Sequence, residues 1–296
     1  MNKRNIVFAT DRIYMQHLAA ALASLLENNS GMNIYVINTD INEADWKKLS
    51  KLFFGKDSIL INAKIDDGQI KNLVTCIHLT KASYYRLFIP EIVPGDKALY
   101  LDADIVVTQR IDDLYDTDIS NTFLAAVDNP GLYDYRDLEM DPSAKFFNSG
   151  VMLINLEYWR NYKVKEKVVN FIRKKPEVIR FTDQDGLNSV INGNWLELHP
   201  KYNMHTGFVY TQHTAESIIK EGFGIPVIIH YTSSSKPWHL GNNHPYKHLY
   251  WKYLRMTPYK FAFPSKPWSI FDFDNLMTRV PMPIKEALKK ILRRRD

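Results

Sequence analysis

The chain has 296 residues, of which 45% are hydrophobic, 24% charged and 13% aromatic, a globular composition that excludes a disordered, collagenous or coiled-coil body. Its net charge of +5 is uneven: residues 1–254 hold 28 Lys and Arg against 29 Asp and Glu, and residues 255–296 hold 10 against 4, so no basic stripe for nucleic acid crosses the main body. The single cysteine, Cys76, leaves no intramolecular disulfide, residues 6–9 are too short for a secretory leader, and no apolar run approaches the ~18 residues of a membrane span, so the chain reads as cytoplasmic.

Residues 5–10 are a β-branched and aromatic run ending at Asp11, and residues 14–26 carry Leu18, Leu22, Leu25 and Leu26 at helical spacing, which gives strand, loop, helix. Residues 33–38 predict a second strand, 43–53 a second helix and 58–63 a third strand. A helix over 82–89 precedes a strand over 97–107 that is interrupted by acidic residues. Further strands are expected over 123–127, 151–155 and 226–231, and helices over 164–173 and 185–190. This order implies an α/β fold with a mainly parallel, doubly wound sheet that presents ligands at the carboxyl ends of its strands. No Gly/Ser linker divides residues 1–254, which read as one catalytic domain followed by a tail over 255–296. Ser235-Lys-Pro-Trp recurs as Ser265-Lys-Pro-Trp, but the flanks differ and the repeat reads as coincidence rather than a solenoid.

The most informative stretch is Ala98-Leu-Tyr-Leu-Asp-Ala-Asp-Ile-Val-Val, a buried strand that ends in Asp102 and Asp104. Two carboxylates separated by one residue share a face of an extended backbone, and a hard divalent cation offsets their repulsion. A turn-capping pair is the competing reading. Residues 226–230 deliver His230 to a strand end, and a Ser-rich loop follows with Lys236: an imidazole to complete the metal sphere and an amine to neutralise a diphosphate. Thr182-Asp-Gln-Asp opens a helix with Thr182 as N-cap candidate; Asp183 and Gln184 either bracket sugar hydroxyls or serve the cap. Asn148-Ser149-Gly150 is a small-residue turn at the head of a buried strand, where backbone can approach a ligand closely.

The tail combines Phe261, Phe263, Trp268, Phe271 and Phe273 with a segment opened by Pro283, in which Ile284, Leu288, Ile291 and Leu292 fall on one helical face among Lys285, Lys289, Lys290 and Arg293 to Arg295. That mixture predicts an interfacial amphipathic helix on an anionic membrane surface, with a helix packed on its own domain or a solvated end as the alternatives.

In order along the chain, Ile6-Val-Phe-Ala-Thr-Asp, His78-Leu-Thr-Lys-Ala-Ser-Tyr-Tyr-Arg-Leu, Leu99-Tyr-Leu-Asp-Ala-Asp, Phe147-Asn-Ser-Gly-Val, Asp183-Gln-Asp-Gly-Leu-Asn and His230-Tyr…Lys236-Pro-Trp resemble glycosyltransferase family 8. Its members are retaining sugar-nucleotide transferases, among them bacterial lipopolysaccharide galactosyl- and glucosyltransferases, a general-stress-protein branch and glycogenin. The resemblance implies a single GT-A-type nucleotide-sugar-binding domain and Mn²⁺ (or Mg²⁺) held by Asp102, Asp104 and His230. It also implies UDP-galactose or UDP-glucose as donor and a glycan, glycolipid or glycoprotein as acceptor. By the same resemblance Ala9, Thr10, Asp11 and Tyr14 hold the uridine, Asp102, Ala103 and Lys236 line the diphosphate, and Arg86, Asn148, Asp183 and Gln184 grip the donor sugar at the catalytic centre. Asp128, Asn129, His78, Tyr202 and Thr206 are expected to wall the acceptor. Arg12 and Ile13 stand where family members often carry small or polar residues. A metal-dependent nucleotidyltransferase or phosphohydrolase, and a UDP-sugar-binding stress protein without turnover, are the other readings.

Overall fold

Successive side chains of β1 (Arg4–Ala9) go to opposite faces of a sheet. Ile6 and Phe8 join the leucines of α1 (Met15–Asn28) in one core, while Val7 and Ala9 join Tyr84, Leu87, Val168 and Leu187 in another. With both faces covered, the strand interior is apolar without alternation. The computed structural model describes residues 3–75, 80–129, 135–209 and 226–265. The expectations resting on Cys76, His78, the tail aromatics from Trp268 onward and the helix opened by Pro283 lie outside the described residues.

After α1 come β2 (Met32–Asn38), α2 (Glu43–Ser50), β3 (Ile59–Lys64), α3 (Ile89–Ile92), β4 (Lys97–Leu101), β5 (Ile105–Val107), α4 (Asp112–Tyr115) and β6 (Leu124–Asp128). The chain continues with β7 (Phe147–Asn155), α5 (Leu156–Asn161), α6 (Val164–Lys174), α7 (Thr182–Ile191), β8 (Leu196–Glu197), β9 (Met204–His205), α8 (Thr206–Val209), β10 (Ile228–His230) and α9 (Lys247–Leu254). A seven-stranded sheet runs β3-β2-β1-β4-β7-β6-β8, parallel from β3 to β4, antiparallel where β7 meets β4 and β6, and parallel again at β8. A three-stranded sheet, β5-β10-β9, pairs β10 antiparallel to β5 and parallel to β9. The expected mainly parallel, doubly wound architecture is observed.

Three local expectations are corrected. The strand expected over 97–107 is two strands in two sheets: the chain leaves the large sheet after Leu101, turns through Asp102-Ala103-Asp104 and enters the small sheet at Ile105. The acidic pair therefore converges through a turn rather than along one extended face. The helix expected over 82–89 is a 3-10 helix, Lys81–Phe88, whose first turn is capped by the Thr80 hydroxyl. Pro90 has no N–H to offer the Arg86 carbonyl, so an α-helix could not continue unbroken past the end of this stretch, and the Ile89 N–H takes that carbonyl instead. At the head of α7, Thr182 lies inside the first turn at φ +47° rather than at the N-cap. The Asp185 carboxylate serves the helix end, accepting from the N–H groups of Arg180 (2.6 Å) and Phe181 (2.7 Å). Asp183 and Gln184 are thereby released from capping.

Candidate active site

The turn after β4 and the end of β10 bring Asp102, Asp104 and His230 together, with one ligand atom from each within 4.8 Å of the others. Each carboxylate commits one oxygen elsewhere. Asp102 Oδ1 accepts from Arg86 (2.9 Å) and from the Tyr100 hydroxyl (2.6 Å), while Asp104 Oδ2 pairs with Lys236 Nζ at 2.6 Å. The remaining oxygens, Asp102 Oδ2 and Asp104 Oδ1, lie 3.5 and 3.3 Å from His230 Nε2. Two carboxylate oxygens and an imidazole nitrogen converging in this way fit a hard or borderline divalent cation such as Mn²⁺ or Mg²⁺. Gly150 makes the room: a Cβ there would stand 2.1 Å from His230 Cε1 and 2.6 Å from Asp102 Oδ2.

Burial alone would raise the Asp104 carboxyl, yet the nearby Lys236 ammonium leads the influences that outweigh it and hold the group well below the usual carboxylate range. Burial likewise opposes the charge on Lys236, but Asp104 more than restores it and raises the amine above its ordinary value. Lys236 Nζ also donates to the Tyr231 carbonyl at 2.6 Å, so two acceptors hold the cation in place.

Arg86, 5% exposed, organises the opposite side. Its guanidinium pairs with Asp102 (2.9 Å) and Asp183 (3.0 Å), donates to the Ser149 carbonyl (2.7 Å) and lies 4.5 Å over the Tyr100 ring. Desolvation disfavours its charge, but the two carboxylates reverse that and raise its pKa. Asp183 is carried by burial to about 6 in spite of Arg86, and its Oδ1 accepts from the Thr182 hydroxyl at 2.9 Å. Gln184 Oε1 accepts from the Ser149 N–H at 3.0 Å, and Asn148 Oδ1 from the Gly150 N–H at 3.0 Å. The 3-10 helix Lys81–Phe88, β7 and α7 thus deliver Arg86, Asn148 and the Asp183-Gln184 pair to one buried cluster.

At the end of β1, Thr10 donates its N–H to the Ile37 carbonyl, and Asp11 Oδ1 caps the following 3-10 turn by accepting from Tyr14 N–H at 3.1 Å. Burial raises the Tyr14 hydroxyl, with Lys236, Asp104 and Asp102 all close enough to act on it, so the expected uridine side adjoins the acidic turn. Tyr14 meets Trp238 edge-on, with ring centroids 5.9 Å apart. Arg12 is turned away, its Nε 2.5 Å from Asp45 on α2, and Ile13 is 82% exposed. Ala103 sits buried in the acidic turn.

Among the expected acceptor residues, Asp128 ends β6 half-buried with its carboxyl raised by burial and by Glu197, and Asn129 is buried beside it. Tyr202 and Thr206 flank β9, where Thr206 N–H donates to the Thr232 hydroxyl. Sequence reasoning missed Tyr100 and Asn203. Tyr100 stands two residues before Asp102, a spacing that signals a shared strand face; Asn203 carries no local signal.

Residues 5–241 match the sequence pattern of Glycosyl transferase family 8. The chain is 32% identical over 269 residues to General stress protein A of Bacillus subtilis, covering 86% of this chain and 93% of that one. It is 27% identical over 283 residues to Lipopolysaccharide 1,2-glucosyltransferase of Escherichia coli, covering 91% and 82% of the two chains. Its fold is similar to that of the galactosyltransferase LgtC crystallised with donor and acceptor sugar analogues, with a TM-score of 0.76 at 23% identity over 86% of this chain and 96% of the other. With a family match that spans both the β1 end and the His230–Lys236 segment, the chain belongs to glycosyltransferase family 8 and is a sugar-transferring enzyme.

Proposed function

We propose that the protein is a retaining hexosyltransferase that moves galactose or glucose from a UDP-sugar to a cell-surface glycan, glycolipid or glycoprotein. The observation that carries this reading is the convergence of Asp102 Oδ2, Asp104 Oδ1 and His230 Nε2 between two fixed cations, Arg86 and Lys236. Asp102, Asp104 and His230 would hold Mn²⁺ or Mg²⁺, which when bound draws charge from the departing diphosphate. Ala9, Thr10, Asp11 and Tyr14 would receive the uridine, and Lys236 would exchange part of its contact with Asp104 for a phosphate oxygen. Ala103 lies in the turn that carries both acids, where its backbone can face the same phosphates.

The opposite cluster, Arg86, Asn148, Asp183 and Gln184, would orient the hexose. Its hydrogen bonds bear on how configuration is kept. Asp183 has Oδ2 on Arg86 and Oδ1 on the Thr182 hydroxyl, and Gln184 has its oxygen on the Ser149 N–H. The Gln184 amide is a poor nucleophile and the Asp183 carboxylate is shared between Arg86 and Thr182, which favours attack from the face the leaving group departs over a covalent intermediate on Asp183. A phosphate oxygen of that group would accept the acceptor's proton, with the developing negative charge met by Lys236.

The tail, residues 255–296, would bring the enzyme to the inner face of the cell membrane. Phe261 and Phe263, 79% and 86% exposed where the described chain nears its end, support this, and no described helix is long and apolar enough to cross a membrane. The test of the enzymatic reading is a panel of nucleotide sugars incubated with purified protein and Mn²⁺, with and without EDTA. UDP release from one donor, abolished by EDTA, is expected. Metal-dependent UDP binding without release from any donor, in the presence of lipid-linked and free glycan acceptors, would instead favour a sugar-nucleotide-binding protein without turnover.

A further inference from the structure

We infer that Asn203 is a positioning residue that fixes the tautomer of His230, keeping the proton on Nδ1 and turning the Nε2 lone pair toward the carboxylates; the cation-binding half of this inference rests on the metal-ligand reading above. The polarity is set at Gly150. Its backbone N–H donates over 3.0 Å to the Asn148 side chain, so the atom facing it must be the amide oxygen. That oxygen lies 2.9 Å from the Asn203 side chain, which must therefore present its NH₂ group. The Asn203 oxygen is then left facing His230 Nδ1 at 2.9 Å, and an acceptor there requires a proton on Nδ1. Side-chain amides and imidazoles are ordinarily ambiguous in this respect, but here each orientation follows from a backbone N–H that has only one polarity.

Asn203 is 0%, His230 3% and Asn148 8% exposed, so water has little access to break the relay. Its value lies in what it opposes. Asp102 Oδ2 and Asp104 Oδ1 both face Nε2, and two acceptors there favour an imidazole protonated on the wrong nitrogen. With Nδ1–H held by Asn203, a cation finds Nε2 ready and the ring plane already fixed. The placement is a product of the small sheet: β9 runs parallel to β10 with His205 opposite His230, which brings the turn before β9 against the imidazole.

The test uses the full-length, metal-free protein. Long-range proton–nitrogen correlation spectra report which ring nitrogen is protonated, or whether both are, with His230→Gln identifying the resonance. Nδ1 is expected to carry the proton without metal and with diamagnetic Mg²⁺. A bare Nδ1 in the wild-type protein overturns the inference whatever any variant does. Asn203→Leu is expected to lose the Nδ1 preference and to raise the Mn²⁺ dissociation constant by about tenfold or more in calorimetry. Asn203→Asp keeps an acceptor toward Nδ1 and is expected to retain the tautomer. Folded Asn203→Leu with wild-type tautomer and affinity overturns the proposal, and if that variant fails to fold, a bare Nδ1 in Asn203→Asp does so. An Nδ1-protonated His230 that does not respond to Mg²⁺ leaves the relay standing and refutes the metal-ligand reading.

Discussion

Gly150 shows how little freedom the site leaves a single residue. Its carbonyl accepts from Asp102 N–H at 2.8 Å, its own N–H holds Asn148, and a methyl group would overlap both the His230 ring and the Asp102 carboxylate. Gly150→Ala is therefore expected to displace the imidazole, lowering stability by about 1–3 kcal/mol and weakening Mn²⁺-linked UDP binding by about tenfold or more; denaturant melts and calorimetry check the two separately. Gln184 tests the sugar-binding half. Gln184→Ala is expected to lower kcat more than UDP affinity, and the reverse pattern would make it a structural partner of Ser149. Asp102, Asp104 and His230 could be read from the sequence because acids and an imidazole stand at the ends of otherwise apolar strands. Arg86's double pairing and Asn203 could not, since each acts through contacts between separate segments of the chain, whereas Tyr100 lies only two residues from the carboxylate it holds.

Elements add a pH dependence of their own. His17 on α1 stacks on Trp238, centroids 3.5 Å apart, and meets the Tyr250 hydroxyl of α9 at 2.8 Å. Burial lowers its pKa from the ordinary value to about 3. The unfolded chain therefore binds a proton near pH ~6.5 that the folded chain refuses, so stability present at neutral pH is lost as the pH falls below that value, by about 1–2 kcal/mol at pH ~5. His17→Phe keeps the stack without the titration, and its Tm should fall less steeply than the wild type's between about pH 7 and about pH 5. Parallel slopes would assign the acid sensitivity to other groups. At this scale the βα order was legible because strands covered on both faces are continuous apolar runs and α1 and α6 carry apolar residues at helical spacing. The break at Asp102-Ala103-Asp104 was not, for Leu101 and Ile105 are equally apolar and only the competing partners, β7 on one side and β10 on the other, decide where the strand ends.

For the whole molecule, the boundary between body and tail matters most. Thr257 is buried, and Tyr259 and Ala262 pack against the cluster around α9, so residues just past 254 support the domain, while Phe261 and Phe263 face outward. Truncation after Ser265 is accordingly expected to leave metal-dependent donor hydrolysis intact and to abolish sedimentation with anionic vesicles. Vesicle binding that survives truncation would place the membrane contact on the body. The sequence made the tail's charge conspicuous, yet its first residues are tied back to Trp238, whose carbonyl accepts the Ser265 N–H and which no local pattern joins to them.

The chain's passage from one sheet to the other at the acidic turn has a mechanical consequence. Asp102 closes a strand of the large sheet, Asp104 precedes one of the small sheet and His230 ends its neighbour, so a cation held by all three would act as a rivet between two layers. Anything bound only to the assembled layers makes their separation costlier in proportion to its occupancy. Amide exchange in β9 and β10 should then slow on loading with metal and UDP, while the distant β2–β3 edge keeps its rate: the cofactor would set not only the chemistry but the breathing of the smaller sheet.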